Sequence, residues 1–412
     1  MITVTKDEES FAMKKIVAVL KKEMMLTLAL LAAIVSLFIT PPTKELLTAI
    51  DWRTLGILLM MLCVLEGFKK ENVLGPVVRL ASGIPSMVGL SLFVIFGVFF
   101  TSMFVTNDVS LIIFVPLTIL LFRQGGKEKY ILPVISMENI AAIRGSLLTP
   151  FGSPQNLFLY GQADVSAGHF MLHMLPLCAS SAVLLVIFVL VLYRKNLKET
   201  AQEVVQRETH GAVQEATGKV TKAEGETVKG SKPQVNRRGA VYLALFVLVL
   251  AVIVTRTELW PIAVGIVLVG VFFNDRALFR RVDYVLILTF LCFFVFSSSI
   301  AANPGISAML KKAVAGREYW WAIGLSQVIS NVPASIVLYP FSENFAGLIY
   351  GADTAGLVSL IGSLASVINY RIYVREYPGQ GGRFVKVFTL VSWAFFVIVV
   401  IPGFLLSHWA FF

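Results

Sequence analysis

Apolar residues fill this chain in blocks near 24–40, 54–68, 87–122, 131–160, 169–193, 240–255, 259–273, 284–300, 319–342, 354–373 and 387–408. Runs such as SSAVLLVIFVLVLY (180–193) show no alternation, so they predict transmembrane helices rather than barrel strands. The polar interruptions are few, and they recur in order. NDVSLIIFVP (107–116) returns in outline as NVPASIVLYP (331–340), with Thr106 and Ser330 before the asparagines and Ile112 matching Ile336. Asp51 and Asp283 each open an apolar run, and FGSPQNLFLY (151–160) matches IGSLASVINY (361–370). Duplication with helix-breaking residues inside apolar blocks predicts an all-α polytopic membrane protein of two inverted-topology repeats. Each repeat holds a re-entrant hairpin (87–122, 319–342) and a broken transmembrane helix, the plan of a secondary transporter.

Loop charge gives the orientation. If both hairpins return to the side they entered and every other block crosses once, 28 Lys and Arg fall on the side of the N-terminus. Six fall opposite, and Arg144 lies within a span. The positive-inside rule then puts the N-terminus in the cytoplasm and the C-terminus outside, in the cytoplasmic membrane. Five crossings separate span 24–40 from its counterpart 259–273, so equivalent elements face opposite ways. The expected organisation is a cytoplasmic segment 1–23, a first transmembrane repeat 24–193, a polar linker 194–238 and a second repeat 239–412. The linker is rich in Lys, Glu, Thr, Gln and Gly, the composition of a tether. Residues 70–82 read as an amphipathic element at the membrane interface.

Composition narrows the function. Hydrophobic residues make up 57% and charged residues 15%, as in an integral membrane protein. The net charge of +10 sits at the ends of apolar runs with no basic cluster interleaved with aromatics, so nucleic acid is not an expected partner. Cys63, Cys178 and Cys292 are singly spaced inside apolar runs, which argues against a disulfide framework or zinc site. The first apolar run begins near Met24 and leads into further spans, so no cleavable signal peptide is expected. There is no P-loop, nucleophile elbow or paired-carboxylate set, so an enzyme is not expected, nor is any cofactor beyond a coupling ion.

A turn inside a bilayer survives only when buried in protein or facing a wet cavity. The tips Thr106-Asn107-Asp108 and Ser330-Asn331 offer side chains that satisfy backbone groups or meet a ligand, and Na⁺ could sit near Asn107 and Asn331. Helix N-termini there favour a carboxylate or oxyanion, and exposed carbonyls favour Na⁺. The breaks add Ser153, Gln155 and Asn156 in the first repeat and Ser363 and Ser366 in the second, without a second Pro-Gln-Asn. Asp108 is a candidate proton or sodium site or a helix cap. Glu138 and Arg144 do not share a helix face; Arg144 either meets an anion or holds the carbonyls of the broken segment. His169 and His173, one turn apart, are expected to mark the membrane interface rather than a metal site.

TNDVSLIIFVP, TPFGSPQN and SNVPASIVLYP together resemble the signatures of the ion transporter superfamily, especially its citrate-transporter-like and arsenite-permease-like members, over roughly 25–410. The resemblance implies tips that contact sodium and a substrate carboxylate, a transport domain moving against a scaffold, and a homodimer. The carboxylate branch has Ser-Asn-Thr at its tips, where this chain has Thr106-Asn107-Asp108 and Ser330-Asn331-Val332. The expected function is transport of a small anion or oxyacid coupled to Na⁺ or H⁺. The alternatives are arsenite-type efflux, sodium/proton antiport and, from another class, an anion channel.

Overall fold

Two aspartates start matching helices. In the computed structural model, which describes residues 23–42, 44–71, 84, 86–194 and 237–409, Asp51 precedes a helix over Trp52–Lys70 and accepts from Thr54 N. Asp283 precedes Tyr284–Ala301 with the same backbone angles and accepts from Leu286 N. Both bonds satisfy amide groups that open a helix and have no intrahelical partner. All regular structure in the described residues is helical. The first repeat comprises α1 (Met24–Ile39), a short α2 (Lys44–Ala49), α3 (Trp52–Lys70), α4 (Met87–Val105), α5 (Asn107–Gln124), α6 (Ile131–Ser146), α7 (Pro154–Gln162) and α8 (Ala167–Leu192). Helix α9 (Arg237–Thr255) follows. The second repeat comprises α10 (Trp260–Asp275), α11 (Tyr284–Ala301), α12 (Pro304–Val314), α13 (Glu318–Ile329), α14 (Asn331–Leu338), α15 (Phe345–Ala355), α16 (Leu364–Glu376) and α17 (Gly381–Ser407). Among the described residues, seven helices have the length and apolarity to cross a membrane: α4, α5, α8, α9, α10 together with the helical turn that continues it to Arg280, α11 and α17.

Three contacts between the halves have a reciprocal partner. α1 packs on α11 and α10 packs on α3; α5 packs on α16 and α14 packs on α7; α6 packs on α16 and α15 packs on α7. Exchanging the halves maps each of these contacts onto its partner, whereas the packing of α17 on α6 has no counterpart of similar extent between α8 and α15. The hairpins α4–α5 and α13–α14 each clasp the first half of their own repeat's broken helix, α6 and α15. The hairpins differ in size. At 1.5 Å per residue the arms of the first are about 28 and 27 Å long, and those of the second about 18 and 12 Å.

The second broken helix begins earlier than the hydrophobic pattern suggested. Its first half is α15, whose Phe345–Ala355 stretch is almost wholly buried, so the block starts near 345 rather than 354. The amphipathic stretch 70–82 falls largely in 72–83, outside the described residues, but its counterpart in the second repeat is the amphipathic helix α12. The tail 1–22 and linker residues 195–236 also lie outside them.

Candidate functional site

Both hairpins turn on a single strained residue. Thr106 has φ 72° and ψ 156°, and Ser330 has φ 68° and ψ 160°. That region of backbone space is essentially reserved for glycine and costs a non-glycine residue about 1–3 kcal/mol. Neither hydroxyl makes a capping bond to the helix that follows. The next residues are buried. Asn107 accepts from its neighbour's amide, Asp108 N, at 2.9 Å, while Asp108 is half-buried with Oδ1 unpartnered. Asn331 ties its tip to the second break, its backbone N donating to Gly362 O at 3.2 Å and its Nδ2 to Ala352 O at 3.3 Å. The first tip is held to its own break by Thr149 Oγ1, which donates to Met103 O.

The breaks need their glycines. A Cβ on Gly152 would lie 2.4 Å from Ser146 O, and one on Gly362 2.3 Å from Ala355 O, both backbone atoms. After each glycine comes a serine in extended conformation, Ser153 or Ser363. Ser153 accepts from Asn156 N at 3.4 Å, whereas Ser363 makes no side-chain cap. Asn156 Nδ2 donates to the carbonyls that end α6, Ser146 O at 3.2 Å and Leu147 O at 3.4 Å. That work is done by Asn156, not by Arg144. Ser366 turns the other way, its hydroxyl accepting from Asn139 Nδ2 at 3.0 Å.

Arg144 lies where the breaks of the two repeats touch. It is fully buried, and its one polar contact is Nη2 donating to Thr354 Oγ1 at 3.4 Å; Nε and Nη1 have no partner. Beside Thr354, on α15, Asp353 is fully buried, accepts from Gln155 Nε2 at 2.9 Å through Oδ1, and leaves Oδ2 unpartnered. Arg144 and Asp353 form no ion pair; the ion pairs among the described residues are Lys69–Glu66, Lys70–Asp275 and Arg123–Glu376. The structure thus brings Gln155 and Asn156 together with Arg144 and Asp353, and Asn331 with Gly362. Asp353 is absent from the sequence-based candidates, although a segment matching α6 had to precede Gly362 and would have exposed it. His173, expected at the membrane interface, is buried: Tyr350 Oη donates to its carbonyl at 2.6 Å, and the two rings meet edge-on.

Unpaired donors and acceptors buried between the two halves suit a polar ligand. The fold is that of the Alcanivorax borkumensis YdaH transporter, whose crystal structure superposes with a TM-score of 0.51 over 94% of this chain and 96% of that one, at 15% identity. A family model described as "Citrate transporter" matches residues 12–362, and the chain belongs to that family, in line with the citrate-transporter-like resemblance of its motifs. The protein is therefore a multi-pass membrane transporter and not an enzyme. Among its relatives are the inner membrane protein YbiR of Escherichia coli, 29% identical over 82% of this chain and 84% of that protein. Another, named as the uncharacterized transporter MJ0456 of Methanocaldococcus jannaschii, is 25% identical over 80% and 83%.

Proposed function

We propose that the protein is a secondary active transporter of a small anion or oxyacid across the cytoplasmic membrane, coupled to Na⁺ or H⁺. The observation that carries this reading is Arg144. A guanidinium cannot be deprotonated in a protein, and a charged group at depth costs at least about 2.5–3.5 kcal/mol unless it is partnered. Two of its three nitrogens are without partners at the junction of the repeats. An anion with two acceptor oxygens would satisfy both, with the planar, bidentate geometry that arginine provides. The family's description as citrate transporters and the tips' hydroxyl and amide groups support the same class of ligand. The orientation with the N-terminus and linker inside rests on the charge asymmetry. Labelling of a cysteine placed near Gly225 by an impermeant reagent, in intact right-side-out vesicles, would contradict it.

The test of the ligand class is thermal-shift screening of purified protein against carboxylates, sulfate and arsenite, repeated with Arg144→Gln. A stabilising anion whose effect disappears in the variant supports the reading. Stabilisation that survives the substitution moves the anion elsewhere.

A further inference from the structure

A second buried polar cluster, separate from Arg144 and from both tips, lies where α5, α6 and α16 meet. Glu138 on α6 is fully buried; Thr118 of α5 donates to its Oε1, and its Oε2 has no partner. Its neighbour Asn139 is also fully buried, donates to Ser366 of α16, and leaves Oδ1 unpartnered. Asn369, three residues on from Ser366, is fully buried too. Its Nδ2 donates to Ile135 O at 2.7 Å, and its Oδ1 has no partner. Ile135 O sits one helical turn before Asn139 on α6, so this bond holds Asn369 level with Glu138 and Asn139.

Three oxygens in this cluster accept from nothing in the protein, while the Thr118 hydroxyl and one N–H of each amide are already engaged. A buried acceptor without a partner costs about 1–3 kcal/mol, so three on one three-helix junction call for a positive ligand. Hard oxygen donors suit a metal cation without soft-ligand chemistry. The charge fixes its valence: one carboxylate balances one positive charge, whereas a divalent ion would leave an uncompensated charge in a dry interior.

We propose that Glu138, Asn139 and Asn369 form a binding site for one monovalent metal cation at the junction of α5, α6 and α16. Because α5 belongs to the first hairpin and α16 to the second broken helix, an ion here ties elements of both repeats together. If transport is ion-coupled, as proposed above, this is a place for the coupling ion away from the hairpin tips.

The experiment uses purified full-length protein without any anion substrate, so its outcome does not depend on the anion reading. Binding of radiolabelled sodium and the melting temperature are measured in NaCl and in choline chloride at equal ionic strength. The wild type is expected to bind sodium and melt higher in NaCl. Glu138→Gln and Asn369→Ala should each lose sodium binding by tenfold or more, while Arg144→Gln keeps it. Sodium binding unchanged in both Glu138→Gln and Asn369→Ala, or no preference for NaCl over choline in the wild type, overturns the proposal. The absence of any sodium preference in the wild type overturns the proposal even if a variant fails to fold. Loss of anion binding in Arg144→Gln with sodium binding intact would show the two sites to be distinct.

Discussion

Replacing the tip residues with glycine should stabilise the protein and impair it at once. Thr106 and Ser330 hold backbone angles that glycine adopts freely, at a cost of about 1–3 kcal/mol each. Glycine takes back about 0.5–1 kcal/mol through the entropy of the unfolded chain. Neither hydroxyl caps a helix, so little else is lost with the side chain. Thr106→Gly and Ser330→Gly should therefore each gain roughly 0.5–2 kcal/mol, read as a rise of a few degrees at most in melting temperature in detergent. Alanine at the same positions keeps the strain and loses only the side chain, so stability should stay near that of the wild type. If the strained residues are retained because their hydroxyls meet substrate or ion, all four variants should lose uptake in proteoliposomes. A fall in melting temperature in the glycine variants would refute the strain argument. Full uptake in all four would refute the binding role.

Asn107→Ala and Asn331→Ala should both abolish uptake. Only Asn331→Ala should also lower the melting temperature, since it breaks a buried bond to Ala352 O worth about 1 kcal/mol; equal melting shifts would contradict that assignment. Asp108 lies inside the first turn of α5 and makes no capping bond, which removes the helix-cap reading of this residue. Asp108→Asn keeps its shape, so if Asp108 couples the ion the variant should lose ion-driven accumulation while retaining downhill exchange; unchanged accumulation would retire the coupling role. Gly145→Ala would place a Cβ 2.0 Å from Phe99 O, a backbone atom, prising α4 from α6. The cost should reach or pass the upper end of about 1–3 kcal/mol, seen as loss of folded protein in size-exclusion chromatography; a normal profile would count against the close packing of the hairpin on α6.

Features that repeat within the chain could be read before any coordinates. Asp51 with Asp283, Thr106 with Ser330, and Ser153 with Ser363 each occupy matching backbone conformations because the chain uses one design twice. Features that depend on which residue meets which across the halves were hidden. The Asn139–Ser366 bond spans 227 residues, and no local pattern announces it. Asp353 was obscured because a lone carboxylate in FAGLIYGADTAG reads as the end of an apolar run, when it is a buried group facing Gln155. Arg144 was legible as a charge at depth. Its role was not, because whether Arg144 or Asn156 holds the broken helix's carbonyls depends on how the break folds.

The central claim is that Arg144 receives the anion that this transporter moves. The most direct measurement is uptake of the anion found by thermal shift into proteoliposomes under an imposed Na⁺ or H⁺ gradient, for the wild type and Arg144→Gln. Losing two charge-assisted hydrogen bonds, each worth about 1.5–3 kcal/mol, should weaken anion binding by at least a hundredfold and abolish uptake. The wild type should show saturable accumulation above equilibrium that collapses with the gradient. Gradient-independent flux with single-channel currents, or accumulation by Arg144→Gln equal to that of the wild type, would contradict the account.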